Sequence, residues 1–287
     1  NFDTDAREFV AKAKTYLGRP VPVYMSSWSP PAFLKSNGQV GNGGTLITNA
    51  DGSFAYAQFA QYWYDALLAY GSNGVSPAWI SIQNEPDFIA SYDSCVLRPN
   101  EGVVNGTNYA SYAKALDAVF NKLTNLPAPP KFLAPEVVHI SWNTLQNYAA
   151  TMNPNSFYGV AHHLYGDGNT SSGDSFLTAI ASATNVFPNK PRFMTEYGDV
   201  FDMIECANLI HNSLVVESVS GYNHWNLLWP GTSGGLIQIE NPWSQSTWTN
   251  APAGTPTQSH GWWYSPSYWS MKHFSYFIQP GYRRVGA

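Results

Sequence analysis

The feature that most restricts this fold is a repeated alternation of short apolar runs with longer segments of helical period. Six runs read as strands: Val21–Ser26, Ala78–Gln83, Lys131–Pro135, Phe157–Leu164, Pro191–Thr195 and Gly221–Leu228. Between them, apolar residues recur at i, i+3, i+4 and i+7, the period of a helix with one buried face. Ala6, Phe9, Val10, Ala13, Tyr16 and Leu17 form one such stripe, stopped by Gly18-Arg19-Pro20. Phe59, Tyr62, Trp63, Ala66, Leu67 and Tyr70 form a second. Tyr109, Tyr112, Ala113, Leu116, Val119, Phe120 and Leu123 form a third. Helices are also predicted over Ser141–Thr151, Asp174–Val186, Phe201–Val216 and Ser265–Phe277. Strands alternating with helices demand a parallel sheet. The loops are long after the strands and short before them, as in an α/β barrel with an elaborated C-terminal face.

The most informative strand end is Ile80-Ser81-Ile82-Gln83-Asn84-Glu85-Pro86-Asp87. Proline stops the ladder, which places Glu85 at the C-terminal mouth of its strand, where barrels carry their chemistry. The chain has only eight glutamates, yet three of them, Glu85, Glu136 and Glu196, follow strands in this way. A retaining glycosidase needs two carboxyls about 5–5.5 Å apart, one protonated to assist the leaving oxygen and one ionised to attack the anomeric carbon. Two strand ends opening on one mouth hold such a pair rigidly. Glu136 reads as a residue that orients its neighbours rather than one that reacts.

Composition narrows the ligand class. Charged residues make up 11% of the chain, against about 25% in ordinary soluble domains, while aromatics reach 15% with 11 Trp and 18 Tyr. A surface polar through amides and hydroxyls suits a secreted protein that handles neutral polar ligands. The net charge of −5 disfavours nucleic acid, which selects a basic face. No apolar run approaches the ~20 residues that span a bilayer. Cys95 and Cys206 match no metal or redox spacing; pairing and buried thiols both remain open. No metal cluster stands out, and a two-carboxylate mechanism needs no cofactor.

Five motifs resemble glycoside hydrolase family 30, in the family's order and over nearly the whole chain. Trp28-Ser29-Pro30-Pro31-Ala32-Phe33-Leu34-Lys35-Ser36-Asn37-Gly38 is similar to its third-strand motif, and Ile82-Gln83-Asn84-Glu85-Pro86-Asp87 to its acid/base motif. His163-Leu164-Tyr165-Gly166 resembles its sixth-strand motif, Met194-Thr195-Glu196-Tyr197 its nucleophile motif, and Lys272-His273-Phe274-Ser275 through Gly281 its final helix and exit. The bacterial xylanase branch is the nearest. The resemblance implies a (β/α)8 TIM-type barrel in which the visible strands are the third to the eighth. The first two βα units and most of the family's β-sandwich side domain are then missing. Residues 1–279 form the barrel part and 280–287 begin a strand toward the side domain. A missing segment or second chain would complete the barrel; the 287 residues alone are expected to be poorly stable and to associate through open strand edges.

The resemblance makes Glu85 the general acid/base and Glu196 the nucleophile of a retaining endo-1,4-β-xylanase, with xylan as partner and a secreted location. Other specificities of the family (β-1,6-glucan, galactan or glucosylceramide) are the alternative, as is a non-catalytic carbohydrate-binding barrel fragment. Asn84 is expected on the sugar 2-hydroxyl, Tyr165 and Tyr197 as donors that keep Glu196 ionised, and His163 as a possible ligand contact. Trp28 and Trp229 are expected to stack on sugar, and Trp225 either to stack or to fill the core. Trp63, Trp79 and Trp142 read as core, and Trp243 and Trp248 fall in the long Pro230–Trp263 loop. Bacterial xylanases of this branch grip a glucuronic acid through an arginine after strand eight. Here no arginine lies between Arg192 and Arg283, so independence of glucuronyl branches is expected, the alternative being that a cation from another loop, such as Lys35 or Arg98, grips the branch instead.

Overall fold

The computed structural model describes residues 4–230, 234–239 and 262–285. Trp243, Trp248 and most of the long loop lie outside the described residues. In chain order the elements are α1 (Thr4–Leu17), β1 (Tyr24–Ser26), α2 (Tyr56–Ser72), β2 (Trp79–Ser81), β3 (Gly102–Val104), β4 (Thr107–Tyr109), α3 (Tyr112–Leu123), β5 (Lys131–Val137), α4 (Thr144–Ala149) and β6 (Gly159–His163). They continue with α5 (Leu177–Ala183), β7 (Arg192–Tyr197), α6 (Met203–Asn212), β8 (Val219–His224), β9 (Leu228–Pro230), β10 (Ile237–Ile239), β11 (Trp262–Tyr264) and α7 (Pro266–Phe277). The fold is α/β with parallel strands, as the alternation predicts. The hairpin β3–β4 and the strands β9–β11 are additions that the apolar pattern does not announce.

The chain forms two compact units. The first comprises Asn1–Val138, Trp142–His162 and Val186–Pro191. Within it β1, β2, β5 and β6 pair in parallel, in chain order. Tyr24 pairs with Trp79 and Trp79 with Lys131, so the strands start level. β5 and β6 are buried on nearly every residue, which is the pattern of a parallel sheet covered on both faces. α3 meets β5 through the Phe120 and Phe132 rings, 5.5 Å apart, and packs on α2. On α3, Tyr112, Leu116, Val119 and Leu123 of the predicted stripe are buried, together with Ala115, while Ala113 and Phe120 are half-buried. Ser111 caps this helix by accepting from the Lys114 N–H. On α2, Phe59, Trp63 and Leu67 are buried, and the Trp63 indole donates to the Ile82 carbonyl at 3.2 Å. Each fully buried Leu or Val here contributes about 1.5–3 kcal/mol. The α1 stripe behaves differently: no residue of α1 is buried, and Phe9 and Tyr16 are 58% and 90% exposed.

The second unit comprises His139–Ser141, His163–Asn185 and Arg192–Ala287. β7 and β8 pair in parallel from Arg192–Val219 to Tyr197–His224. The buried Arg192 side chain donates to the carbonyls of Ala183 (3.3 Å) and Thr184 (2.5 Å) at the end of α5. It thereby satisfies acceptors that a helix leaves unpaired and places a cation at the negative end of the helix dipole. Asp202 caps α6 through the N–H groups of Ile204 and Glu205, and α6 packs on α7. Cys95 in the first unit and Cys206 in the second are buried free thiols. Burial pushes the Cys95 thiol up to about 12.

Gly173 sits where α6 passes closest. A Cβ there would lie 2.2 Å from the Glu205 carbonyl oxygen and 2.6 Å from the Leu209 nitrogen, both backbone atoms that cannot swing aside. Gly173→Ala should therefore lower the unfolding free energy by about 1–3 kcal/mol. Chemical denaturation checks this, and an unchanged midpoint would show that the approach is not tight.

Candidate active site

In the first unit the site is built on the ends of β1, β2 and β5. β2 ends at Ser81, and the chain bends through Gln83 and Asn84 to Glu85. The Gln83 side-chain amide donates to the carbonyls of Trp28 (2.7 Å) and Asn84 (2.9 Å). The Asn84 N–H donates to the Ser27 carbonyl at 2.7 Å. These bonds tie the segment after β2 to the segment after β1, so Asn84 and Trp28 belong to one rigid rim. Asn84 and Glu85 are nevertheless almost buried, at 6% exposure each. Trp28 stands half-buried, with its ring centroid 5.5 Å from that of the exposed Tyr92. Asp87 accepts from the Val138 N–H at 3.0 Å and fastens the Glu85 turn to the end of β5.

Glu85 has φ +44°, a left-handed conformation that costs an L-residue about 1–2 kcal/mol. Glu136 has φ +61°. It lies inside β5 rather than just after it, at an irregularity where the pairing with β6 jumps between Pro135 and Val137. Such a bulge re-aims a side chain that a regular strand would send elsewhere.

In the second unit Glu196 is the penultimate residue of β7, not a residue beyond the strand. Its Oε1 accepts from the Tyr165 hydroxyl at 3.0 Å and lies 3.8 Å from Nδ1 of the fully buried His163. A hydroxyl donor stabilises the ionised carboxylate, the form a nucleophile needs. Tyr197 is buried, with its ring 5.2 Å from Tyr165 and 5.3 Å from Phe176. Successive strand residues point to opposite faces, which sets Tyr197 to support Tyr165 by ring packing. Burial, with Asp199 and Asp167 nearby, raises the Tyr197 hydroxyl far above its usual range.

β8 ends at His224, and Trp225 follows, joined to Asn226 by a cis peptide. The Trp225 N–H donates to the Tyr197 carbonyl at 3.1 Å. Position 198 has to be glycine: a Cβ there would meet the Trp225 carbonyl oxygen at 1.8 Å. Trp225 and Trp229 form a tilted pair 6.3 Å apart, the first half-buried and the second 42% exposed. His224 is held by the Gly234 carbonyl through Nε2, and burial lowers its pKa to about 4. It is therefore neutral near pH 7, with the proton on Nε2.

Two expectations from the sequence change. Trp142 is not core: it is 74% exposed, in a turn where it and Asn143 both take positive φ. A bulky apolar residue reads as core by composition alone, but the left-handed turn after β5 throws its ring outward. Lys35, an alternative anchor for an acidic branch, is 2% exposed and donates to the carbonyls of Val40 (3.0 Å) and Ser94. It pins two loops together. Arg98, the other such cation, lies over the Tyr109 ring at 5.1 Å. The supports that sequence reasoning missed are Tyr24 and Ser26, whose only signal is a pair of hydroxyls at period two in a strand. Among the described residues no helix is long and apolar enough to cross a membrane.

No family model matches the chain. Among curated proteins it is similar to putative glucosylceramidase 4 of Caenorhabditis elegans, 24% identical over 304 residues, covering 97% of this chain and 53% of that protein. It is also similar to the endo-1,6-β-D-glucanase of Neurospora crassa, 44% identical over 61 residues, 21% of this chain and 12% of that protein. The chain thus spans about half the length of the first of these relatives, and less of the second. Among solved structures it is similar to the catalytic domain of GH30 xylanase C from Talaromyces cellulolyticus, with a TM-score of 0.69, 20% identity, and coverage of 98% of this chain and 60% of that one. An endo-β-1,6-glucanase structure gives a TM-score of 0.68 at 16% identity, covering 98% and 62% of the two chains. The glycoside hydrolase family 30 subfamily 8 xylanase Xyn30A from Clostridium acetobutylicum gives 0.61 at 20% identity, covering 96% and 60%. The chain therefore has the α/β, TIM-barrel-type fold of these glycoside hydrolase family 30 structures, the same family that its ordered motifs resemble.

Proposed function

We propose that this chain carries the active site of a retaining β-glycoside hydrolase, with Glu85 as general acid/base and Glu196 as nucleophile. The observation that carries the reading is the state of Glu196: a strand-end carboxylate that accepts a tyrosine hydroxyl, beside a buried histidine. Glu85 follows β2, in a strained turn fastened by the Asp87 side chain and by its own N–H. In the reaction Glu196 attacks the anomeric carbon as Glu85 protonates the departing glycosidic oxygen. A water, deprotonated by Glu85, then releases the sugar with its configuration retained. Asn84 contacts the sugar at the cleavage point, the fully buried His163 backs Glu196 rather than touching the sugar, Tyr165 holds Glu196 with Tyr197 beside it, and Trp28, Trp225 and Trp229 offer aromatic faces to pyranose rings.

For the substrate we propose β-1,4-xylan, cleaved internally and without dependence on glucuronyl branches, by a secreted enzyme. The likeness to xylanase structures supports the backbone specificity. The commitment of Lys35 to loop carbonyls and the lack of any arginine between Arg192 and Arg283 support independence of the branch. A second reading, β-1,6-glucan, is favoured by the 44% identity to the Neurospora crassa glucanase over 61 residues.

Glu85→Gln and Glu196→Gln should each abolish cleavage of natural substrate while leaving circular dichroism and melting unchanged. Azide should partly rescue Glu196→Ala with inversion, yielding an α-glycosyl azide. A product of retained configuration from that variant would mean that the two roles are exchanged. Full activity in either Gln variant would remove the assignment.

Specificity is read from initial rates on linear xylo-oligosaccharides, glucuronoxylan of matched length and β-1,6-glucan. Comparable rates on the first two are expected. A charged anchor of the missing kind supplies roughly 2–5 kcal/mol, so a hundredfold preference for the branched substrate would refute branch independence. Turnover confined to β-1,6-glucan would select the second reading.

A further inference from the structure

The third strand-end glutamate has a placement that the two-carboxylate reaction does not explain. Glu136 is 1% exposed. Its Oε1 accepts from the Tyr24 hydroxyl, and its Oε2 from the Ser26 hydroxyl at 2.5 Å. Both donors belong to β1, two residues apart, and so lie on one face of that strand. The Glu136 carbonyl, at the other end of the same residue, accepts the Glu85 N–H at 3.1 Å. One residue of β5 therefore grips β1 with its side chain and the Glu85 turn with its backbone.

The conformations on either side of this bond are unusual. Glu85 and Glu136 are both non-glycine residues with positive φ, +44° and +61°. Such conformations persist only where the surroundings over-determine them, and they concentrate at functional sites. The N–H of Glu85 is aimed by its own left-handed turn, and the acceptor is aimed by the bulge at Pro135–Val137. Straightening β5 would withdraw the carbonyl. The side-chain grip on Tyr24 and Ser26 resists that straightening.

The surroundings of Glu136 match a fixed group rather than a reacting one. Burial, with the negative charge of Glu136 second, holds the Tyr24 phenol well above its ordinary range, and the same two causes act on Tyr112. The Tyr24 hydroxyl therefore keeps its proton and donates it toward the Glu136 carboxylate. A carboxylate of this burial, with a hydroxyl donor on each oxygen, holds geometry.

We propose that Glu136 is a positioning residue for proton donation by Glu85: its carboxylate, clamped by Tyr24 and Ser26, sets the bulge whose carbonyl fixes the Glu85 turn. This rests on the acid/base reading of Glu85. No covalent step involves Glu136, and its proton inventory does not change during turnover.

The test separates positioning from mere stability through the leaving group. A 2,4-dinitrophenolate departs without protonation, whereas a methylphenolate or a sugar requires the acid. Glu136→Gln and Tyr24→Phe are assayed in the full-length protein with these two aryl β-glycosides, made on whichever of xylobiose and gentiobiose the wild type cleaves. For both variants kcat/KM on the methylphenyl glycoside is expected to fall on the order of 10²-fold, as for an acid displaced by about 1 Å, while the dinitrophenyl value stays within about twofold. Glu136→Asp, which keeps the charge but shortens the reach, should fall between. Equal losses on both substrates, or none, in the folded Tyr24→Phe variant would overturn the proposal, even if Glu136→Gln fails to fold. Glu85→Gln is the control. If it too shows no leaving-group dependence, the acid/base assignment itself falls, and the positioning role with it.

Discussion

The parallel ladder governs where this protein can place polar chemistry. In the first unit β5 and β6 are covered on both faces, and the ladder consumes their backbone donors and acceptors. A charge within such a strand meets apolar neighbours on either side, and burying it unpaired costs several kcal/mol. Carboxylates are therefore driven toward strand ends, where the ladder stops and side chains reach other polar groups. Glu85 obeys this fully. Glu196 obeys it one residue early and is rescued by the Tyr165 hydroxyl.

Glu136 is the most enclosed of these carboxylates. Like Glu196 it is the penultimate residue of its strand, but it is 1% exposed; its two carboxylate oxygens meet two hydroxyls of β1, and its φ departs from the regular strand. A buried acid is tolerated there because each of its oxygens accepts a hydroxyl. The energetic cost of two left-handed glutamates and a bulge is concentrated in a few residues around Glu85. Strain of this kind fits a group that has to be held at one angle, since a loose turn would serve a merely structural residue equally well.

The low charge of the chain has a structural counterpart. Several of its few cations are committed to internal work: Lys35 and Arg192 to buried carbonyls, Lys190 to the Phe157 carbonyl and ring, and Lys131 to the Tyr158 ring. What the rims offer instead is aromatic surface, such as Trp28, Tyr92 and Trp229. Surfaces of that type match a ligand with many hydroxyls and apolar C–H faces better than one with charge.

Periodicity by itself determined the six parallel strands, the helices between them and the strand-end placement of Glu85, because a two-sided parallel sheet permits few other apolar patterns. The stripe of α3 is buried or half-buried, as its spacing requires. Where partners lie elsewhere in the chain, periodicity was silent or misleading. The stripe of α1 has the same spacing and yet stays exposed, because amphipathicity marks a face and not what covers it. Trp142 reads as core but stands outward, since a left-handed turn cannot be inferred from a tryptophan. The strands β9–β11 are three residues each, too short to show a period. Only the tertiary structure decided what surrounds the two glutamates. Tyr165 is 31 residues from Glu196, and Tyr24 is 112 from Glu136. Contacts at such separations are set by how parallel strands align their ends, a property of the packed sheet and not of any local stretch of sequence.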